Sequence, residues 1–256
     1  MSSFSTSAIL LRRIDFGDFD LITTFFTLNN GRLSAIAKNA QKSTKRFKGI
    51  LEPFAFLNIV CVSGKGGRLP VLKEASSKQL FIDIRKDVEK TAYASYWTEL
   101  INKWMEKGHK NKPIFYIFLQ MLRWLDTGFM PAEKLSILFQ IRFMLLSGFN
   151  PNLTYCIVCK TRTENIKSNT FFFDLGNGGI VCNKCGSNLK YHISFSKGTL
   201  KQLLWMQNKN FLIASKVKLS HQAVQEGLGF LEAFVPYHLG TEPKSLKFLR
   251  RIRKKE

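Results

Sequence analysis

The first 80 residues alternate short apolar runs with turn signals, a pattern typical of β-strands. Asn29-Asn30-Gly31 is a strong hairpin signal, and the glycines at 64–67 mark a further turn. The predicted strands cover residues 6–14, 19–28, 32–38, 54–63 and 68–74. Five strands in so short a segment predict an OB-fold barrel, although the pattern alone does not separate it from an SH3-like barrel.

The remaining sequence shows apolar residues at helical spacing, interrupted by one cysteine-containing segment. Helices are predicted over residues 87–104, 114–125, 135–146, 196–207 and 220–234, and residues 244–255 form either a basic amphipathic helix or a partly ordered tail. Several of these helices are apolar on nearly every side, which favours burial in a bundle.

The predicted fold class is therefore α+β, an N-terminal five-stranded OB-fold barrel followed by an all-helical domain with a four-cysteine zinc-ribbon insertion. We expect the barrel at residues 1–80 and the first part of the helical domain at 81–152. The zinc-binding insertion then covers 153–190, and the second helical part, with its basic C-terminus, covers 191–256.

Composition excludes several classes of protein. The chain has 256 residues, of which 45% are hydrophobic and 13% aromatic, so it can bury a core and is not a disordered basic tail. No apolar run approaches the roughly 18 residues that a membrane span needs. The N-terminus lacks the basic and apolar regions of a signal peptide, so a cytoplasmic location is expected.

The formal net charge of +21 is the first indication of function. An excess of this size costs folding energy through self-repulsion, which favours a polyanionic partner. Nucleic acid is the leading candidate, and an anionic membrane surface is the alternative. Residues 1–80 carry 12 Lys and Arg against 5 Asp and Glu, and residues 191–256 carry 12 against 4, so the two ends are expected to face the anion.

The segment between the third and fourth predicted strands, residues 38–49, is called the basic loop here. It contains five cationic residues and no acidic one. Most charge runs are only solvated loops, but cations beside an aromatic ring also suit single-stranded nucleic acid. Phe47 is either that ring or an anchor for the next strand. The candidate DNA-binding residues of the barrel are Arg12, Arg13, Arg32, Lys38, Lys42, Lys45, Arg46 and Lys48.

Two C-x2-C pairs are the most specific signal in the sequence. Cys156 and Cys159 are separated from Cys182 and Cys185 by 22 residues that contain a strand pattern and a glycine-rich turn. Four such thiolates close a tetrahedron around one structural Zn²⁺ and leave no open position for catalysis. An iron–sulfur cluster is the alternative metal group. Cys61 stands alone in an apolar strand and is expected in the core.

The common catalytic motifs are absent. The sequence has no phosphate-binding G-x-x-x-x-G-K-[ST], no G-x-S-x-G and no H-E-x-x-H. Asp15, Asp18 and Asp20 lie close together and allow a metal-dependent nuclease, but aspartates at this position more often form turns. We therefore expect a protein that is not an enzyme.

These parts, in this order, resemble the bacterial RecO family of recombination mediators and DNA repair proteins. Residues 8–22 are similar to that family's first hairpin, although Asp18 stands where a Glu is frequent. Residues 31–38 with the basic loop, the four cysteines, and residues 237–249 also match, and the resemblance spans essentially the whole chain. Some family members lack the cysteines.

The resemblance implies a non-enzymatic protein that binds single- and double-stranded DNA and anneals complementary strands. It also implies binding to the acidic C-terminal tail of the single-stranded DNA-binding protein, and cooperation with RecR in loading the RecA recombinase at the nucleoid. Candidate contacts for DNA or for the acidic tail are Lys244, Lys247, Arg250 and Arg251. A zinc-ribbon transcription or RNA-binding factor of another family is the alternative, ahead of a metal-dependent nuclease.

Overall fold

The structure, a computed structural model, describes residues 2–64, 66–186, 193–208 and 210–254. Contacts between residues divide the chain into two compact units. Unit 1 contains residues 1–129 and 243–256, and unit 2 contains residues 130–242. The predicted boundary of the zinc insertion at residue 190 lies outside the described residues, so the predicted division into segments stays a prediction.

Unit 1 begins with a closed barrel in the order β1-β2-β3-β5-β4, in which β4 also pairs with β1. All neighbouring strands are antiparallel except β3 and β5, which meet in parallel. The strands are β1 (Ser3–Phe16), β2 (Asp20–Thr27), β3 (Gly31–Ala37), β4 (Phe56–Val62) and β5 (Val71–Gln79). The prediction of a five-stranded OB-like barrel is confirmed.

The alternation of the strands determines which side chains fill the barrel. In β3, the buried positions Leu33, Ala35 and Ala37 alternate with half-buried ones, as the period of two requires. Strand β1 is long enough to pair with both β2 and β4, and a bulge between Leu10 and Arg12 bends it. Beyond the bulge its side chains are exposed.

Helices complete both units. They are α1 (Ile82–Lys86), α2 (Val88–Trp104), α3 (Lys112–Thr127), α4 (Ala132–Leu146), α5 (Asn183–Gly186), α6 (Lys197–Asn208), α7 (Phe211–Ser215), α8 (His221–Leu239) and α9 (Lys244–Arg253). Capping side chains fix several starts: Asp87 accepts a hydrogen bond from the Lys90 amide, and Asn111 accepts one from Ile114. Gly128 ends α3 with a φ of 65°, which glycine adopts without steric cost.

In unit 1, helices α2 and α3 lie beside the barrel. Phe115 of α3 contacts Phe26 and Phe56 of the barrel, with ring centroids 5.6 and 6.2 Å apart. Helix α9 packs on α2 through the fully buried Leu246 and Leu249. The C-terminal segment is thus a helix through Arg253, and its apolar face is occupied by unit 1 itself.

In unit 2, helices α4, α6 and α8 pack on one another and on a small antiparallel sheet. The sheet has the order β7-β6-β8, with β6 at Thr170–Asp174, β7 at Gly179–Cys182 and β8 at Ile193–Ser196. Phe173 of β6 joins the sheet to α8, with its ring 4.6 Å from that of Phe230 and 5.5 Å from that of Phe234.

Candidate nucleic-acid interface and metal centre

The backbone of the basic loop is fixed by hydrogen bonds to Ser43 and to Asp20 of β2. The Ser43 hydroxyl oxygen accepts hydrogen bonds from the amides of Arg46 and Phe47, each at 3.1 Å. Asp20 accepts a 2.7 Å hydrogen bond from the Asn39 amide, whose φ of 54° turns the chain. The side chains of Lys38, Lys42, Lys45, Arg46 and Lys48 are all exposed. The loop therefore presents its five cations to solvent from a defined backbone.

The interpretation of Phe47 as a ring for stacking bases is wrong. Its side chain is 3% exposed and belongs to the barrel core beside Leu51. Phe47 is instead the anchor that ties the basic loop to the barrel. The Arg46 guanidinium lies 5.0 Å from the Phe47 ring and donates to the Lys38 carbonyl, so this cation is also partly oriented.

Exposed rings are present on the neighbouring hairpin, where the sequence indicated only a turn. Phe16 and Phe19 are 48% and 37% exposed at the connection between β1 and β2. The Lys42 ammonium lies 3.3 Å from the centroid of the Phe19 ring, which places that ring directly beside the basic loop. A cation and an exposed ring in contact are the combination that suits single-stranded nucleic acid. In the sequence, the only indication that these two rings are exposed was their position within an Asp-Phe-Gly-Asp-Phe turn.

The arginines of the barrel fall in different places. Arg12 and Arg13 are both exposed beyond the bulge of β1, and Arg13 pairs with Glu52 at 2.7 Å and donates to the Leu51 carbonyl at 2.8 Å. Arg32 is only half-exposed and lies at the start of β3, whereas the basic loop follows the end of that strand. The seven residues of β3 span about 20 Å, so Arg32 is remote from the loop.

A cleft in unit 1 brings further cations together. It has a volume of about 720 Å³ and lies between β1, the segment before β4, α2 and the start of α9. Its cationic lining residues are Arg12, Arg13, Arg85, Lys103 and Lys244, and we call it the cationic cleft. Glu99 is its single acidic lining residue. Arg85 and Lys103 were not among the predicted site residues, because each belongs to a helical segment with a nearly balanced charge.

Glu99 joins α9 to α2 at the edge of this cleft. Its carboxylate accepts hydrogen bonds from the backbone amides of Lys244 at 3.2 Å and Ser245 at 2.9 Å. It also forms an ion pair with the Lys103 ammonium at 2.9 Å. Burial alone raises the pKa of Glu99, but the hydrogen bonds from Ser245, Lys103 and Lys244 outweigh it and lower the pKa from its ordinary value. Glu99 is therefore held ionised.

The other predicted C-terminal cations lie along α9. Lys247 and Arg251 are exposed and Arg250 is half-buried. Because Leu246 and Leu249 are already buried against α2, the apolar face of α9 is not available to a membrane surface. No helix in the described residues is long and apolar enough to cross a bilayer.

The four predicted metal ligands converge in unit 2. Cys156 and Cys159 occupy a tight turn closed by two 2.9 Å backbone bonds, from Lys160 to Cys156 and from Cys156 to Thr161. Lys160 provides the left-handed residue of the turn, with a φ of 59°. Cys182 ends β7 and Cys185 lies in α5, so a hairpin and a short helix supply the second pair.

The sulfur geometry fits a tetrahedral metal ion. All four Sγ atoms lie within 4.8 Å of one another, and those of Cys159 and Cys182 are 3.9 Å apart. Zinc–sulfur bonds of about 2.3 Å require sulfurs separated by roughly 3.8 Å, close to the observed spacing. Val181, Ile157 and Phe172 pack around the site. The donor set therefore fits a structural metal that is closed to substrate.

The crowded thiols shift one another's pKa values. Hydrogen bonding with Thr161 lowers the pKa of Cys159 to about 6, whereas the hydrogen bond with Cys182, burial and the nearby charges raise that of Cys185 to about 12. Such a divergence arises where thiolates crowd one site, and a divalent ion removes their repulsion. Cys61 is fully buried in the barrel core, as predicted, and burial raises its pKa to about 11.

The three aspartates of the first hairpin do not assemble a metal site. Among the described residues, only the four cysteines form a group of three or more potential ligands. Asp20 orders the basic loop through the Asn39 amide, which is the turn-forming role that the sequence favoured.

Comparisons with known proteins cover the chain from end to end. A family model described as recombination protein O N terminal matches residues 1–81, and one described as recombination protein O C terminal matches residues 85–247. A DNA repair protein RecO from Desulfatibacillum aliphaticivorans is 44% identical over 100% of this chain and 99% of its own length. Another from Desulfosudis oleivorans is 43% identical over 99% of both chains, and one from Bacillus pumilus is 28% identical over 96% of this chain and 93% of its own.

Proposed function

The chain belongs to the RecO family of DNA repair proteins, and from this we propose that it binds DNA, anneals complementary strands and mediates recombinase loading on single-stranded DNA. Membership of this family excludes the alternative of a zinc-ribbon factor from another family. We further propose that the protein catalyses no reaction and that it acts at the nucleoid in the cytoplasm.

The observation that supports this proposal best is the exposed cationic surface of unit 1. Five cations of the basic loop project from a structured backbone, and Arg12 and Arg13 extend the surface along β1. Cations that neutralise phosphates release condensed counterions, which drives binding without sequence preference. Annealing also requires two negatively charged strands to approach, and a cationic surface lowers their repulsion.

Two protein partners belong to the same proposal. The acidic C-terminal tail of the single-stranded DNA-binding protein needs cations near an apolar surface, and α9 offers Lys247 and Arg251 beside Phe248, which is 46% exposed. RecR is proposed as the second partner on family membership alone.

We propose that one Zn²⁺ is held by Cys156, Cys159, Cys182 and Cys185. Bound zinc would act as a cross-link between the two cysteine pairs. The chain itself supplies the closed turns and the apolar packing that orient the sulfurs. With four sulfur ligands, the ion has a structural role, and an iron–sulfur cluster is distinguished from it by its absorption in the visible range.

Strand annealing tests the main proposal. We would measure annealing of complementary oligonucleotides, with and without a single-stranded DNA-binding protein, for the wild type and for a variant in which Lys42, Lys45, Arg46 and Lys48 are changed to Glu. The variant is expected to anneal slowly and to bind oligo(dT) with a salt slope lower by about 2.8, at roughly 0.7 per lost phosphate contact.

A charge-matched variant serves as the control. Lys110, Lys112, Lys216 and Lys218 are exposed residues outside the basic loop and the cationic cleft, and their change to Glu alters the net charge equally. This control should retain annealing. Equal losses in both variants would show that total charge, and not the basic loop, governs binding, and wild-type protein without annealing activity would refute the function.

A further inference from the structure

Three of the five cations that line the cationic cleft form no ion pair in the described part of the chain. Lys103 is paired with Glu99 and Arg13 with Glu52, but Arg12, Arg85 and Lys244 make no ion pair with any carboxylate in the described part of the chain. Unpaired cations that line a concave site focus their electrostatic field on an incoming anion.

The floor of the cleft also carries polar groups without partners. Thr91, Ser95, Thr98 and Asn102 are spaced so that they share one face of α2, and all four line the cleft. Thr98 is 6% exposed, and neither its hydroxyl nor the Asn102 side-chain carbonyl has a hydrogen-bond partner. Buried polar atoms in native proteins are usually satisfied, so these two point to a ligand that completes them.

We propose that the cationic cleft holds a single phosphodiester backbone, and that Arg85, Lys244 and Thr98 contact it. The inference rests on the proposed DNA-binding function and adds a second segment to the DNA path. Phosphate oxygens accept hydrogen bonds from guanidinium, ammonium and hydroxyl groups, which are the donors that the cleft offers.

Continuity with the basic loop favours a DNA strand over an acidic peptide. Arg13 lines both the cationic cleft and a smaller pocket beneath the basic loop, where Lys48 and Ser43 also lie. A backbone leaving the loop at Lys48 therefore meets Arg13 and then the cleft, although Asp15 and Glu52, the partner of Arg13, also line the pocket on the way. Single-stranded DNA bends to follow such a path, whereas a duplex is stiff over about 150 base pairs.

Fluorescence anisotropy with labelled oligo(dT) tests the assignment. Arg85→Gln combined with Lys244→Gln removes two unpaired cations, and Lys216→Gln combined with Lys218→Gln is the charge-matched control on exposed residues of unit 2. At 0.1 M salt each lost contact lowers the affinity by about fivefold, because the slope of roughly 0.7 per phosphate extends over one decade from 1 M. The cleft variant should bind about 25-fold more weakly with a slope lower by about 1.4, and the control should match the wild type.

Thr98→Val separates a binding role from a structural one. The substitution keeps the shape and removes a hydroxyl without a partner, so the melting temperature should stay the same or rise. Affinity for oligo(dT) should fall by about 10- to 150-fold, because a hydrogen bond to a charged phosphate is lost. A lower melting temperature with unchanged affinity would mean that Thr98 supports only the fold, and would count against the proposal.

The remaining outcomes are equally decisive. Wild-type affinity in the Arg85→Gln and Lys244→Gln variant would overturn the cleft assignment, while the proposed function stands if the basic-loop variant still loses binding. If the cleft variant loses a labelled Asp-rich peptide but keeps oligo(dT), the cleft is a peptide site and the proposal is wrong. If the wild type does not bind oligo(dT), the proposed function fails first.

Discussion

Glu99→Gln tests how the C-terminal helix is attached to unit 1. The carboxylate accepts from the amides of Lys244 and Ser245 and from the Ser245 hydroxyl, which are donors at the first turn of α9. Glutamine has the same shape but turns one acceptor oxygen into an NH₂ donor that faces other donors. The change therefore removes this attachment without creating a cavity.

The expected loss follows from the bonds at this site. A hydrogen bond to a charged group is worth about 1.5–3 kcal/mol and a neutral one about 1 kcal/mol, so two affected bonds lose roughly 2 kcal/mol. A negative charge at a helix N-terminus adds about 0.3–1 kcal/mol. The side chain of Glu99 is 21% exposed, so solvent screening is modest. We expect a total of about 2–3 kcal/mol, equivalent to roughly 30- to 150-fold.

Hydrogen–deuterium exchange of the full-length protein measures this effect locally. Amides of α9 should exchange about 30- to 150-fold faster in Glu99→Gln, because the helix opens from α2 more often. Glu106→Gln is the control, since that side chain is 76% exposed. If α9 exchanges at the wild-type rate in Glu99→Gln, buried Leu246 and Leu249 alone hold the helix, and the role given to Glu99 is wrong.

The same attachment has a predictable dependence on pH. The pKa of Glu99 is lowered in the folded protein from its ordinary value of 4.5. Its contribution is therefore complete above the unfolded pKa and is lost as the pH falls through the folded pKa. Protection of α9 in the wild type should decline below about pH 4.5, and this decline should be smaller in Glu99→Gln.

Three further predictions concern the metal centre and the barrel. Metal analysis of freshly purified wild type should give one zinc per chain, and Cys156→Ser should lose this zinc and destabilise unit 2. Cys61→Ala should retain the metal because Cys61 lies in the barrel core. Phe47→Ala should lower the unfolding free energy of the barrel in chemical denaturation by about 3–5 kcal/mol, and a loss below 1 kcal/mol would contradict its burial. Phe19→Ala should change the unfolding free energy of the barrel by no more than about 0.5 kcal/mol. It should weaken the binding free energy for oligo(dT) by about 1–3 kcal/mol, because a base that stacks on the ring loses this contact.

The pattern of the sequence predicted the elements well where a side-chain period and a turn signal coincide. Four of the five predicted strands match an observed one to within three residues, because the barrel buries alternate side chains in them. The fifth, predicted at 68–74, ends five residues too early, and only Leu72 of β5 is buried. Helix α2 matches the predicted range 87–104 to within one residue, and α3 extends two residues beyond the predicted range 114–125 at each end. The four cysteines could be assigned because their spacing itself encodes a metal geometry.

Short or buried elements could not be predicted in the same way. Strand β8 and helices α1 and α7 have four or five residues each, too few to show a period. Helix α8 was expected to end at Phe234, yet it continues through Pro236 to Leu239. Proline removes one backbone donor, and packing of neighbouring buried residues such as Val235 and Phe234 compensates for that loss. Tertiary contacts of this kind are invisible to a local pattern.

The fold also changes what the charge distribution means. In the sequence, the cations at the two ends of the chain suggested two separate surfaces, one on the barrel and one on the C-terminal segment. In unit 1, Arg12 of β1 and Lys244 of α9 line the same cleft, because Glu99 and two buried leucines hold α9 on α2. The attachment of α9 therefore controls how many cations the cleft contains. Glu99→Gln should consequently alter the affinity for oligo(dT) as well as the exchange of α9, and an unchanged affinity beside a mobile α9 would show that Lys244 contributes nothing to DNA binding.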